Sequence, residues 1–297
     1  MKKVVLIGLG AVGLTYAVKL KDKCDLSVLV DEERLNRYKA NKPMLNGVEQ
    51  DFKYVLPDGG FNADIIIIST KSQGLEDAIS SIKNFVTDGT RIISLINGIS
   101  SEERISEAYP QARVLKSYFI GHSAVREGNS VTQDGVGEIV IEHDDYIEEF
   151  FKAADIQYSV PEDIDYSMWL KFTFNSFANP LSAILNMNFG ELKRNKMFKE
   201  MSKQIISEIY QIAQKRGINN IENLEEDSLE SLNRMCDEGK TSMHQDILAG
   251  RPTEIDIFAG EVVRMGQKYG IPTPCNQMIY DLIKVKEECN EHSVYTC

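Results

Sequence analysis

The sequence predicts an α/β protein: a doubly wound parallel sheet in the first half, followed by an all-helical second half. Three observations carry the prediction. Short apolar, β-branched runs alternate with helical patterns up to about Ser117. A glycine-rich turn directly follows the first of those runs. From Tyr166 onward, helical periodicity punctuated by glycines replaces the strands.

Val4-Val5-Leu6-Ile7 reads as a buried strand, because an apolar run without alternation suits a strand covered on both faces. A glycine turn and a helix over 11–20 follow, then a second strand over 26–30. Residues 63–69, with four consecutive isoleucines, form another buried strand. A helix over 75–85, a strand over 91–96 and a strand over 113–119 continue the alternation. Residues 135–142 and 156–160 read as edge strands. Helices are predicted over 167–177, 196–216, 224–236, 242–248, 253–269 and 275–287, with Gly217, Gly239, Gly250 and Gly270 as C-terminal caps. The first domain is placed at 1–165 and the helical second domain at 166–297, with no internal repeat or low-complexity linker.

Bulk properties narrow the function. A chain of 297 residues suits two domains of about 100–200 residues each. It is 42% hydrophobic and 26% charged, ordinary for a soluble globular protein. The net charge of -12 repels phosphate backbones, so nucleic acid is not an expected partner. The acidic cluster at 222–230 reads as a solvated helix face. Five cysteines, an odd number without a C-x-x-C pair, argue against a disulfide framework and a zinc site. No H-E-x-x-H spacing occurs among His122, His143, His244 and His292, so no metal is expected. Lys2 and Lys3 before a largely apolar run imitate a signal peptide, but the glycine spacing explains that run better. No uninterrupted apolar stretch of about 18 residues occurs, so no membrane span is expected and the cytoplasm is the expected location.

Gly8, Leu9, Gly10, Ala11, Val12 and Gly13 make a G-x-G-x-x-G turn between strand and helix, the signature of a Rossmann-type dinucleotide-binding domain. One glycine allows the turn, the second lets backbone approach a pyrophosphate, and the third lets helix pack on strand. The helix N-terminus adds amide donors and positive dipole. The bland alternative is a glycine turn without a ligand. Asp31 ends the second strand, where an acidic residue accepts both ribose hydroxyls of NAD and repels the extra phosphate of NADP. Arg34 and Arg37 follow, either as a solvated helix start or as partners for that phosphate.

Lys171, Asn175 and Asn179 recur at i, i+4 and i+8, which puts them on one helical face among aromatic neighbours. They line either a polar cleft or an exposed stripe. Asn179 precedes Pro180, where the helix is expected to end or kink. Ser242 and Gln245 fit a capping box. Glu254 and Asp256 sit in the first turn of a helix beginning near Thr253, where the dipole favours carboxylates whatever their function.

These residues together resemble the ketopantoate (2-dehydropantoate) reductase family. The resemblance rests on the glycine turn, Lys71 of Ser69-Thr70-Lys71, the Asn97-Gly98 pair, and Lys171-x-x-x-Asn175-x-x-x-Asn179-Pro180-Leu181. It rests also on Ser242-Met243-x-Gln245-Asp246 and on Gly250-Arg251-Pro252-Thr253-Glu254-Ile255-Asp256, and it spans nearly the whole chain. The resemblance implies NADP(H)-dependent reduction of 2-dehydropantoate to pantoate, a step towards pantothenate and coenzyme A. It implies Lys171 as general acid and Glu254 as a catalytic partner holding the substrate hydroxyl. It implies that Ser242 and Asn179 bind the substrate's polar groups, with Asn175 supporting the same pocket. Asn97 and Lys71 would contact the nicotinamide ribose and the reacting end of the substrate. Asp31 stands where the family often has an arginine, which leaves NAD(H) open as the cofactor, and Ile96 stands where glutamine is common.

Three other readings share these residues: a reductase of another small branched 2-oxo acid, a 2-hydroxy acid dehydrogenase running oxidatively, and a cofactor-sensing protein without turnover. The last has no need of a general acid such as Lys171. The helical half could pair with a second copy, although no heptad run demands a homodimer.

Overall fold

The computed structural model describes residues 1–121, 124–133, 135 and 137–293, with backbone alone at 124, 125 and 291–293. His122, Cys297 and the His292 side chain lie outside the described residues. The chain divides into two compact units, the first ending at Ile164 and the second starting at Asp165.

The first unit opens with β1 (Lys3–Ile7), α1 (Ala11–Leu20), β2 (Asp25–Leu29) and α2 (Glu32–Ala40). Short strands β3 (Met44–Leu45), β4 (Val48–Glu49) and β5 (Tyr54–Val55) come next, then β6 (Ile65–Ile68), α3 (Leu75–Ser81), β7 (Arg91–Ser94), α4 (Ser101–Ala108) and β8 (Arg113–Leu115). The principal sheet has the order β5-β2-β1-β6-β7-β8, and its described pairs are all parallel. The chain starts in the middle, moves outward to β5, then crosses to β6 on the other side of β1. That reversal leaves a crevice outside the carboxyl ends of β1 and β6, the place where open α/β sheets bind ligands.

Period-two alternation splits the apolar side chains between the two faces of the sheet. Val4, Leu6, Ile65 and Ile67 pack with Leu14, Ala17 and Leu20 of α1. Val5, Ile66 and Ile68 pack with Leu75, Ile79 and Ile105 of α3 and α4. The four isoleucines of β6 are wholly buried. Each contributes on the order of 2 kcal/mol of hydrophobic stabilisation.

The expected strand over 113–119 is two strands. β8 ends at Leu115, and β9 (Ser117–Ile120) belongs to a different sheet. The break is fixed by buried Ser117, whose hydroxyl donates to the Ser94 carbonyl at 2.9 Å as the chain leaves the main sheet. β10 (Ala124–Glu127) and β11 (Ser130–Gln133) form a second sheet with β3 and β4, in the order β10-β11-β3-β4. β12 (Glu138–Ile141), α5 (Asp145–Ala154) and β13 (Tyr158–Ser159) complete the unit. The expectation of an edge strand at 135–142 is corrected, because β12 lies between β9 and β13 and pairs with both. The helix expected over 75–85 stops at Ser81.

The second unit is helical: α6 (Ile164–Leu185), α7 (Phe189–Arg194), α8 (Lys196–Lys215), α9 (Leu224–Asn233), α10 (Ser242–Leu248), α11 (Ala259–Tyr269) and α12 (Pro274–Ser293). Of the end or kink expected at Asn179-Pro180, the end does not occur: α6 runs through both residues. Pro180 removes one intrahelical bond, at a cost of about 3 kcal/mol in an isolated helix. Here residues 176–183 are all buried, and their packing outweighs that cost. The helix expected over 253–269 is a short 3-10 turn, Ile255–Ile257, followed by α11, because Phe258 leaves helical geometry with φ -108° and ψ -99°. Gly217, Gly250 and Gly270 adopt positive φ as caps do, whereas Gly239 does not and lies well past the end of α9. No helix among the described residues is long and apolar enough to cross a membrane.

Candidate active site

In the first unit the candidate residues follow the carboxyl ends of neighbouring strands: Gly8–Gly13 after β1, Asp31 after β2, Lys71 after β6 and Asn97 after β7. The three glycines have different reasons to be glycine. Gly8 has φ +99°, and a Cβ there would lie 2.5 Å from the Ser69 carbonyl oxygen. A Cβ on Gly13 would overlap the carbonyl oxygen of Gly8. A Cβ on Gly10 would meet nothing nearer than Ser69 oxygen at 3.9 Å. Gly8 and Gly13 are therefore required by packing, and Gly10 is not. Gly10 is also the N-cap of α1, which has no side-chain cap and no acidic residue in its first turn. An open face beside uncapped helix amides is a cradle for a pyrophosphate, so these residues fit a dinucleotide.

Asp31 is the N-cap of α2, where its Oδ1 accepts from the Arg34 amide at 2.6 Å. Its carboxylate also pairs with the Arg34 guanidinium, and both side chains are about half exposed. Arg37 lies 3.7 Å from Glu33. The carboxylate at the end of β2 therefore arrives with its own counter-cation. Lys71 heads the 3-10 turn Ser72–Gly74, and Asn97 precedes Gly98 at φ +102°.

In the second unit Lys171, Asn175 and Asn179 share one face of α6, as their spacing requires. Lys171 and Asn175 are half-buried, and Asn179 is 4% exposed. Neither amide makes a side-chain hydrogen bond among the described residues, although Lys171 has partners. A chain of hydroxyls links the turn of Asn179 to the start of α10. Ser182 Oγ donates to the Asn179 carbonyl at 3.0 Å, and Thr241 Oγ1 lies 2.6 Å from Ser182 Oγ. With the Ser182 proton committed, Thr241 donates to Ser182 and accepts from the His244 amide at 3.1 Å. All three of Asn179, Ser182 and Thr241 are buried.

That arrangement corrects the capping reading of Ser242. Thr241 caps α10, and Gln245 Nε2 donates to the Lys240 carbonyl at 3.2 Å instead of closing a box. Ser242 is left exposed at the first helical position, its hydroxyl without a hydrogen bond among the described residues. Ser182 and Thr241 thus tie the backbone at Asn179 to the start of α10, where Ser242 follows the cap. Thr241 carries a sequence signal too, since threonine is itself a favoured cap, though a weaker one than serine. Nothing marked Ser182, because its partner is distant in the chain.

Glu254 heads the 3-10 turn rather than lying in a helix, and its carbonyl accepts from the Ile257 amide at 3.2 Å. Its neighbours are tied to α12: the Thr253 amide donates to Glu287 at 2.7 Å, and Asp256 accepts from Tyr280 at 2.9 Å and Lys284 at 3.0 Å. Burial lowers the Lys284 pKa, but its bonds to Asp256 and Glu287 outweigh that and hold it above the ordinary lysine value. Buried His244 donates from Nε2 to Asn186 at 2.8 Å, and burial, aided by Lys240, holds its pKa below the usual histidine value. Elsewhere His143, Asp145 and Glu148 gather at the start of α5, where the imidazole lies 2.7 Å from Glu148 and 3.7 Å from Asp145. Both ring nitrogens already face carboxylates there.

Comparison with known proteins agrees with this layout. Residues 4–145 match the family model for ketopantoate reductase PanE/ApbA, and residues 163–287 match the model for the C-terminal part of that family. The chain is 29% identical to the 2-dehydropantoate 2-reductase of Aquifex aeolicus (strain VF5), covering 97% of this chain and 98% of the relative. It is 28% identical to the 2-dehydropantoate 2-reductase of Pyrococcus horikoshii, covering 96% of this chain and 97% of the relative. A solved ternary structure of D-mandelate dehydrogenase with NADH and anilino(oxo)acetate shares the fold, with TM-score 0.83, 24% identity and coverage of 97% of this chain and 99% of that one. A PanE/ApbA family ketopantoate reductase from Ralstonia eutropha JMP134 shares it at TM-score 0.81 and 22% identity, covering 98% of this chain and 100% of that one. Family matches on both units, and relatives similar along their whole length, make the chain a member of the ketopantoate reductase PanE/ApbA family of oxidoreductases.

Proposed function

We propose that this protein reduces 2-dehydropantoate to pantoate, a step towards pantothenate and coenzyme A. In this reading the first unit binds the nicotinamide dinucleotide and the second supplies the substrate and acid–base groups. The observation that carries it is the face of α6: Lys171 beside two amides without partners among the described residues, one of them nearly fully buried. An amide that makes no bond within the protein is open to a polar ligand, and each hydrogen bond it then forms is worth about 0.5–1.5 kcal/mol. The full-length relatives named 2-dehydropantoate 2-reductase support the choice of substrate.

The dinucleotide, when bound at the glycine turn, supplies the hydride. On reduction the substrate's carbonyl oxygen would gain negative charge and need a proton. The Lys171 ammonium stabilises that developing charge and gives the oxygen its proton, leaving a 2-hydroxy acid and a neutral lysine. Asn179 and Ser242 hold the substrate's polar groups, and Asn175 supports them. Glu254 holds the hydroxyl that forms. Gly8, Leu9, Gly10, Ala11, Val12 and Gly13 would present backbone to the pyrophosphate, while Lys71 and Asn97 would contact the nicotinamide ribose and the reacting end of the substrate.

Asp31 favours a second reading of the cofactor, in which NADH serves in place of NADPH. A small 2-oxo acid other than 2-dehydropantoate goes with that reading. One experiment separates these: initial rates with 2-dehydropantoate and a panel of branched and aromatic 2-oxo acids, each with NADPH and with NADH. The proposal expects the highest kcat/KM with 2-dehydropantoate. A higher value with another 2-oxo acid refutes the substrate, and bound cofactor that no 2-oxo acid oxidises refutes the enzyme.

A further inference from the structure

The 3-10 turn that carries Glu254 is anchored on both sides by one helix. On its N-terminal side, Thr253 is 1% exposed and its amide donates to Glu287 Oε1 at 2.7 Å. On its C-terminal side, Asp256 accepts from the Tyr280 hydroxyl at 2.9 Å and from Lys284 Nζ at 3.0 Å. The same Nζ lies 3.2 Å from Glu287 Oε2. A single ammonium therefore bridges Glu287, which accepts from the Thr253 amide, and Asp256, two residues beyond Glu254. Tyr280, Lys284 and Glu287 recur at i, i+4 and i+7, one face of α12. Tyr280 is seated in turn by Gly260 of α11, where a Cβ would come within 3.0 Å of its ring.

The turn spans three residues and continues into a non-helical Phe258. Backbone contacts hold it locally: the Ile255 amide donates to Thr253 Oγ1 at 3.3 Å, and Arg264 donates to the Asp256 carbonyl at 2.8 Å. The side chain of Asp256 and the amide of Thr253 are held by α12. Remove the Lys284 charge, and Asp256 and Glu287 lose their shared counter-cation. Two neighbouring carboxylates then repel, and the flanks of Glu254 move apart.

We propose that Lys284 is a positioning residue for the reaction: by bridging Asp256 and Glu287 it sets the turn that aims Glu254. This rests on the role given above to Glu254. Misplacing a reacting group by about 1 Å can cost on the order of a hundredfold in rate.

The test is a double-mutant cycle on the full-length protein, with kcat and KM for 2-dehydropantoate, cofactor Kd by fluorescence, and Tm. Lys284→Met is expected to lower kcat about 10–100-fold with cofactor Kd unchanged, and Lys284→Arg to restore it to within about fivefold. In a Glu254→Gln background, adding Lys284→Met is expected to cost less than about threefold, because the group being aimed is already gone. Tyr280→Phe, which removes only one hydroxyl from Asp256, is expected to give a smaller loss with the same dependence on Glu254, and it serves if Lys284→Met does not fold. Equal losses in both backgrounds overturn the inference, as does an unchanged kcat in Lys284→Met when Glu254→Gln is impaired. Full activity in Glu254→Gln overturns the role of Glu254 and the inference with it.

Discussion

Gly10 and Gly13 sit three residues apart in one motif, yet alanine at each position is expected to act in opposite ways. At Gly10 the backbone is ordinary, φ -73° and ψ -166°, and the nearest protein atom to a new Cβ is 3.9 Å away. Replacing glycine there removes unfolded-state freedom, stabilising by about 0.4–1 kcal/mol. It also exchanges a good N-cap for a poor one, costing about 0.5–1 kcal/mol. These nearly cancel, so Tm should move by less than about 4 °C, given roughly 2–4 °C per kcal/mol for a protein of this size class. The methyl group does occupy the open face where a pyrophosphate would rest. Cofactor Kd for Gly10→Ala should rise at least tenfold, equivalent to about 1.4 kcal/mol. At Gly13 the methyl group overlaps the Gly8 carbonyl, so α1 must shift from β1. Overpacking of that kind costs about 1–3 kcal/mol, and Tm should fall by several degrees before any ligand is considered. Thermal unfolding paired with fluorescence titration of NADPH and NADH reads both effects. A stable Gly10→Ala protein with wild-type cofactor affinity would refute the assignment of that face to a dinucleotide.

Two other outcomes follow from particular contacts. Asp31→Asn keeps the α2 cap, since asparagine caps as well as aspartate, but removes the charge; the ratio of kcat/KM for NADPH over NADH should rise severalfold with Tm little changed, and a constant ratio would place Asp31 outside cofactor choice. His244 is held neutral in the fold by burial, with its pKa below the usual value. The unfolded chain binds that proton near pH 6.5, so this share of stability is complete above about pH 6.5 and is lost as pH falls towards the depressed folded value. Tm of His244→Gln should therefore decline less steeply on acidification than that of the wild type; parallel curves would contradict the burial argument.

What could be read from sequence was local. The β1–turn–α1 unit is legible because apolar run, glycine spacing and helix start are contiguous, and the isoleucines of β6 announce a strand covered on both faces. α8 is legible from Phe198, Ile205, Ile209 and Ile212 on one stripe. α2 is not, because its nine residues bury only Tyr38 and offer no apolar period. The two-residue strands β3, β4 and β5 are too short to show alternation. α6 continues past Pro180 because residues 176–183 are all buried, which no local signal reports. In the candidate site the shared face of Lys171, Asn175 and Asn179 follows from helical geometry alone. The hydroxyl relay from Asn179 through Ser182 to Thr241, and the grip of α12 on the Glu254 turn, join residues far apart in the chain. Such pairings appear only once the helices have packed.

The central claim is that a lysine on α6 protonates the oxygen of a 2-oxo acid as hydride arrives. Single-turnover oxidation of the reduced cofactor by 2-dehydropantoate, measured in Lys171→Met beside the wild type, tests it most directly. The rate of that step should fall by about 10²–10⁴-fold, the usual worth of a positioned general acid, while cofactor Kd stays within about twofold of wild type. A step that proceeds at near wild-type rate without the ammonium would contradict it.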